Sequence, residues 1–146
     1  IDLADPLEGG PARLLYTQEF YHIVKQRLHR DGIISVQAES AGWTDLENFT
    51  AIILTLRTIF SIVCPYSTYI PSFTDVWGFA SASESLDPSS FPIEEIDRRI
   101  SVRIAKELKS YDGLTHQAMF IIPKHVRQQL ATAKKIITDK RLIFAY

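Results

Sequence analysis

A single cysteine, Cys64, stands in these 146 residues. One thiol excludes an internal disulfide framework and fits a reducing, cytoplasmic setting. Basic runs are equally scarce: Lys134-Lys135 and Lys140-Arg141 are short and isolated, and the formal net charge is −1. Nothing there tracks a phosphate backbone, so nucleic acid is not an expected partner. Long apolar runs are missing too. Ala51-Ile52-Ile53-Leu54 falls far short of the roughly 20 residues a spanning helix needs, so no membrane is expected either. The dinucleotide fingerprint G-x-G-x-x-G is absent, and Ser81, Ser83 and Ser85 sit in no G-x-S-x-G elbow. His22 and His29 have no Cys or His at ligand spacing, and His116 and His125 fall in separate elements, so no metal site is expected. Cys64 lacks a CxxC neighbour and reads as a buried thiol. The chain also lacks an initial Met. It opens on Ile1 inside its richest motif, acidic where a signal peptide is basic and apolar, and reads as a portion of a longer protein.

What is present suffices for one core: 46% of the residues are hydrophobic. Leu15, Phe20, Val24 and Leu28 mark an amphipathic helix, with Thr17 as its cap and Asp31-Gly32 as its stop. Ile33 to Ala38 is short and β-branched, and reads as a buried parallel strand. Thr44 and Glu47 form a capping-box pattern ahead of Phe49, Ile52, Ile53, Leu56, Phe60 and Val63, which predict the strongest helix. Pro65 to Ile70 and Val76 to Ala82 are strands too close for a parallel crossover, so they should pair antiparallel. After a Ser/Asp/Pro loop from Ser83 to Pro92, a third helix runs from Ile93 to Leu108, with Glu94, Glu95 and Asp97 as a solvated first turn. Met119 to Ile122 reads as extended, Pro123 opens a helix carrying Val126 and Leu130, and Leu142 to Ala145 suggests a last short strand. The alternation predicts an α/β fold: the second half of a Rossmann-like, methyltransferase-type sheet, with helices on both faces and a terminal antiparallel hairpin.

The chemistry concentrates in Asp2-Leu3-Ala4-Asp5-Pro6, followed by Glu8-Gly9-Gly10-Pro11. Two acids at the end of a strand lie where open α/β sheets bind ligands, and suit a cationic substrate. On its own Asp-x-x-Asp-Pro also describes turn chemistry, with Asp bonded to its own backbone. Gln37 fits a pocket wall or a strand-end hydrogen bond equally, and Phe73 and Trp77 taken singly fit core packing.

Taken together, these segments resemble the polyamine aminopropyltransferases, the spermidine and spermine synthase family, whose active-site loop reads Asp-x-x-Asp-Pro and closes on Gly-Pro. Tyr16-Thr17-Gln18-Glu19-Phe20-Tyr21 is similar to the family's helix after that loop, and Gly32 to Ala38 to its next strand with a terminal Gln. Ile70-Pro71-Ser72-Phe73 and Trp77-Gly78-Phe79 resemble its late hairpin. Glu94 to Ile100 and Tyr111-Asp112-Gly113 look most like the thermospermine synthase branch. So do the two extra loop residues and Phe73, where spermidine synthases usually carry Tyr.

The resemblance implies transfer of an aminopropyl group from decarboxylated S-adenosylmethionine, as co-substrate, to a polyamine, with no cofactor. Spermidine is the implied acceptor, giving thermospermine or spermine; putrescine is the alternative. Asp2 would be the proton acceptor, and Asp5 would hold an ammonium of the acceptor. Gln37 and Phe73 would wall the acceptor pocket, and Pro11 would border the methylthioadenosine part of the donor. The family's Gly-rich donor loop is not in this chain, which is therefore expected to be the C-terminal part of the catalytic domain, inactive alone. A homo-oligomer is implied by resemblance only. A methyltransferase shares the fold but has no need of a diacid clamp, and a catalytically silent homologue acting as a subunit stays open.

Overall fold

The computed structural model describes residues 1–43 and 45–144. After the acidic loop, a 3-10 turn, Pro11–Tyr16, leads into α1, Gln18–Arg27. Thr17 caps α1 as expected, its Oγ1 accepting from the Phe20 N–H at 3.2 Å. β1, Ile33–Ser40, is followed by α2, Glu47–Arg57, then β2, Ile62–Ile70, and β3, Asp75–Ser83. Three helices complete the described chain: α3, Ile93–Arg103, α4, Gly113–Phe120, and α5, Lys124–Thr132.

The sheet order is β1-β3-β2, with β3 antiparallel to both neighbours. The expected hairpin is β2–β3, and it ends the sheet. β1 therefore pairs antiparallel with β3, not parallel as an inner strand of an all-parallel sheet does. Its parallel character survives on the other edge. The Ile1 nitrogen donates to the Ser35 carbonyl at 2.6 Å, and the Gln37 N–H donates to the Ile1 carbonyl at 3.1 Å. Alternate residues of one strand bracketing a single residue of another is the pattern of a parallel ladder.

Strand alternation divides the sheet into two faces. Val36, Ala38 and Ala80 face α2 and form the core with Phe49, Ile52, Ile53 and Leu56. Gly78 lies on that face because the Phe49 ring fills the space where a Cβ would sit, 2.3 Å away. Ser35, Gln37, Tyr66 and Phe79 point the opposite way, where Phe120 of α4 meets the Tyr66 ring at 5.1 Å. Helices thus cover both faces, and the fold class is the expected one.

Four local expectations change. α2 ends at Arg57, so Phe60 lies beyond it and Val63 stands in β2 instead of on the helix; at its start Asp45 Oδ1 accepts from the Glu47 N–H at 2.9 Å, and Thr44 of the expected capping box lies outside the described residues. The third helix stops at Arg103, since Ile104 turns extended and, like Leu108, finds no core to bury against. Met119 and Phe120 are helical, ending an α4 that Asp112 starts by accepting from the Thr115 N–H at 2.7 Å. Their apolar run looks strand-like only because Ile121 and Ile122 follow it. Leu142 to Phe144 forms no strand; the nearby pairing is an isolated bridge between Thr138 and Arg141, and Ala145 lies outside the described residues.

Candidate functional site

The acidic loop is folded by two tight turns. The Leu7 N–H donates to the Asp5 carbonyl around Pro6 at 2.8 Å, and the Gly10 N–H to the Leu7 carbonyl at 2.9 Å. Gly9 holds φ +77°, a conformation that glycine adopts without a steric penalty. Its role is turn geometry, with open space on its Cβ side.

Pairing of Ile1 with β1 sets Asp2 at the mouth of a cavity of about 390 Å³, within the range of small-molecule sites. Asp2, Gln37 and Phe73 line it together, with Tyr66, Trp77 and Phe79 as further walls. Asp5 and Pro11 are not part of this wall. Pro11 opens the 3-10 turn, exposed. Asp5 is exposed as well, but its charge reaches inward and raises the proton affinities of Tyr16 and Glu39.

Gln37 is the hub. It is buried, and its Oε1 accepts from the Trp77 indole at 2.9 Å and from the Glu39 N–H at 2.9 Å. Its Nε2 donates to the Tyr16 hydroxyl at 2.6 Å and to Glu39 Oε1 at 3.0 Å. The Tyr16 hydroxyl in turn donates to the Ala4 carbonyl at 3.0 Å, inside the Asp-x-x-Asp segment. A continuous chain of hydrogen bonds thus ties the hairpin to the acidic loop. Gln37 makes these bonds from within β1, three residues before its end, and its side chain also lines the cavity.

Glu39, which the sequence reading passes over, is buried against Gln37 without itself lining the cavity. The ladder between β1 and β3 is irregular between Gln37 and Ser40, and Glu39 sits there with φ +66°. Non-glycine residues adopt that conformation only where their surroundings enforce it. Its side chain is buried, and burial pushes the carboxyl up to about 7. The Gln37 hydrogen bond opposes that rise and the Asp5 charge adds to it. The Tyr16 phenol is also pushed up, first by burial, then by Glu39, with smaller contributions from Asp5 and Asp2. Three carboxylates therefore converge electrostatically on one point. The signal available in sequence was the Gln37-x-Glu39 spacing, which puts two polar side chains on one strand face; the burial was not.

Opposite the acids are aromatic rings. Phe73 lies at the hairpin tip, 53% exposed, its ring 4.6 Å from that of Trp77. Such faces suit methylene chains and attract ammonium groups. Asp2 on one side and the Phe73 and Trp77 rings on the other give the cavity an anionic wall and an aromatic one. Cys64 is buried, and burial pushes its thiol up to about 11, as befits an unreactive thiol. Among the described residues, no three His, Cys, Asp or Glu side chains are grouped to hold a metal ion, and no helix is long and apolar enough to cross a membrane.

Known proteins resemble this chain in sequence and in fold. The spermine/spermidine synthase domain matches residues 1–91. A polyamine aminopropyltransferase of Hyperthermus butylicus is 41% identical over 144 residues, covering 99% of this chain and 47% of that protein. One from Sulfurisphaera tokodaii is 45% identical over 138 residues, and a thermospermine synthase of Arabidopsis thaliana 35% identical over 147. The crystal structure of Thermotoga maritima spermidine synthase superposes with a TM-score of 0.66 at 28% identity, covering 80% of this chain and 40% of that one. A spermidine synthase bound to the transition-state analogue AdoDATO superposes at 0.67 and 29% identity. The chain spans less than half the length of these curated relatives, 47%, 45% and 43% in turn.

Proposed function

We propose a reaction for this site from one premise: the chain belongs to the spermine/spermidine synthase family. It forms the acceptor side of an aminopropyltransferase of polyamine biosynthesis. The longer protein, in its other part, supplies most of the pocket for decarboxylated S-adenosylmethionine, with Pro11 bordering it.

An alkylammonium titrates near pH ~10, so only about one amine in a thousand has its lone pair at neutral pH. Asp2 takes that proton. The freed lone pair attacks the propyl carbon bonded to the sulfonium sulfur. The C–N bond forms as the C–S bond breaks, and sulfur leaves with the bonding pair as neutral methylthioadenosine. Asp5, outside the cavity wall, supplies counter-charge for the acceptor's remaining ammonium groups from its rim, while Phe73 and Trp77 flank its methylenes. Spermidine is the favoured acceptor. The support is Phe73 at the hairpin tip and the 35% identity to a thermospermine synthase.

The observation that carries the reading is the cavity shared by Asp2, Gln37 and Phe73. The full-length protein is incubated with decarboxylated S-adenosylmethionine and putrescine, spermidine or agmatine, and products are identified by mass and chromatography. Spermidine should yield a tetraamine and one methylthioadenosine per turnover. Absence of transfer to every amine overturns the proposal.

A further inference from the structure

The cavity beside Asp2 has a neighbour on the same sheet face. This second cavity, of about 330 Å³, is walled by Ile33, Tyr111, His116, Met119 and Phe120 among others. Ser35 and Tyr66 line both. Their hydroxyls are hydrogen-bonded at 2.8 Å. Ser35 belongs to β1 and Tyr66 to β2, with β3 between them, so the pair arches over two strand spacings, roughly 10 Å. The Tyr66 ring is clamped as well: Phe79 stacks on it at 5.2 Å, and Phe120 tilts against it at 5.1 Å. It stands as a partition between two compartments.

The compartments differ in chemistry. Asp2 opens the first, with Glu39 behind Gln37. The lining of the second includes no Asp, Glu, Lys or Arg. Its histidine is already satisfied, since His116 Nδ1 is hydrogen-bonded to the Tyr111 hydroxyl at 2.7 Å and His116 Nε2 to the Pro88 carbonyl at 2.8 Å. An ammonium entering there loses its hydration and gains no counter-charge, whereas a hydrocarbon loses nothing.

Resting on the aminopropyltransferase reading, we infer that Tyr66 determines specificity: its ring ends the acceptor channel, and the compartment behind it takes an uncharged alkyl extension when the ring is removed. The intact protein therefore excludes acceptors that carry a hydrocarbon tail. Tyr66 is a wall of the channel with no part in proton transfer.

The test uses the full-length protein, decarboxylated S-adenosylmethionine, and two acceptors: spermidine, and spermidine bearing an n-hexyl group on one terminal nitrogen. Methylthioadenosine release gives kcat/KM for each. Tyr66→Ala should raise the ratio of hexyl-spermidine to spermidine by at least about tenfold, the scale on which apolar pockets discriminate added methylenes. Tyr66→Leu serves if the alanine variant does not fold. Tyr66→Phe, which keeps the clamped ring, should hold the original ratio. Met119→Trp, added to the Tyr66→Ala protein, refills the second compartment and should cancel the gain. An unchanged ratio in Tyr66→Ala or Tyr66→Leu, or a gain that survives Met119→Trp, overturns the inference. Turnover of spermidine by the unsubstituted protein separates this outcome from failure of the activity itself.

Discussion

The indole of Trp77 donates across the sheet to Oε1 of Gln37 at 2.9 Å. An indole N–H can only donate, so this contact fixes which end of the amide is oxygen. The NH₂ is thereby aimed at Tyr16 and Glu39. One hydrogen bond between hairpin and strand thus orients the polar floor of the cavity.

Gln37→Leu should be costly for that reason. It leaves the Trp77 indole and the Glu39 N–H without their acceptor, and each stranded donor costs about 1–3 kcal/mol. Urea unfolding should show a loss on the order of 2 kcal/mol or more. The KM for the acceptor should rise more than kcat falls, because the floor is lost and the proton acceptor is not.

Glu39 should make both stability and acceptor binding depend on pH. Its carboxyl lies at about 7 in the folded chain against an ordinary 4.5, so the folded state holds the proton more tightly. Below pH ~4.5 it is protonated folded and unfolded, and no penalty exists. As pH rises from there to ~7 the folded state is progressively penalised, by up to about 3 kcal/mol. Glu39→Gln should therefore match the unsubstituted protein at pH 4 and exceed its stability at pH 8 in parallel denaturant titrations. Acceptor KM should fall as Glu39 ionises around pH 7, and lose that dependence in Glu39→Gln.

Asp2→Asn should separate chemistry from folding. The carboxylate is exposed at the cavity mouth, so thermal melting should hardly move. Loss of a positioned base should lower kcat about 10²–10⁴-fold. Undiminished turnover would remove Asp2 from the mechanism.

Gly78→Ala probes the packing beneath the site. The new Cβ would meet the Phe49 ring at 2.3 Å and the Glu39 carbonyl at 3.0 Å. Overpacking of this kind costs about 1–3 kcal/mol. The melting temperature should fall, and Phe49→Leu in the same chain should restore part of the loss. A neutral Gly78→Ala would mean that the core yields at no cost.

Local features were legible from residue order alone. Thr17 caps its helix because the capping bond spans three residues. The hairpin follows from two apolar runs separated by Pro71 and its neighbours, and the acidic motif lies within eleven residues of chain. Where the reading went astray, one cause was tertiary and one was a local cap passed over. Ile104 and Leu108 continue a helical stripe, yet no partner surface meets them; Met119 and Phe120 are helical through an Asp112 cap placed before their apolar run.

By itself, then, the order of residues determined the family, the αβ alternation and the acidic loop, because each is written in contacts a few positions long. Only the folded chain decided that Glu39 is buried against Gln37 at φ +66°, that Gln37 bridges Trp77 and Tyr16, and that Tyr66 reaches Ser35. Those relations span 21 to 40 positions in sequence for the bridging pairs. They depend on cross-strand register and on desolvation, quantities that exist once the strands are paired and the water is gone.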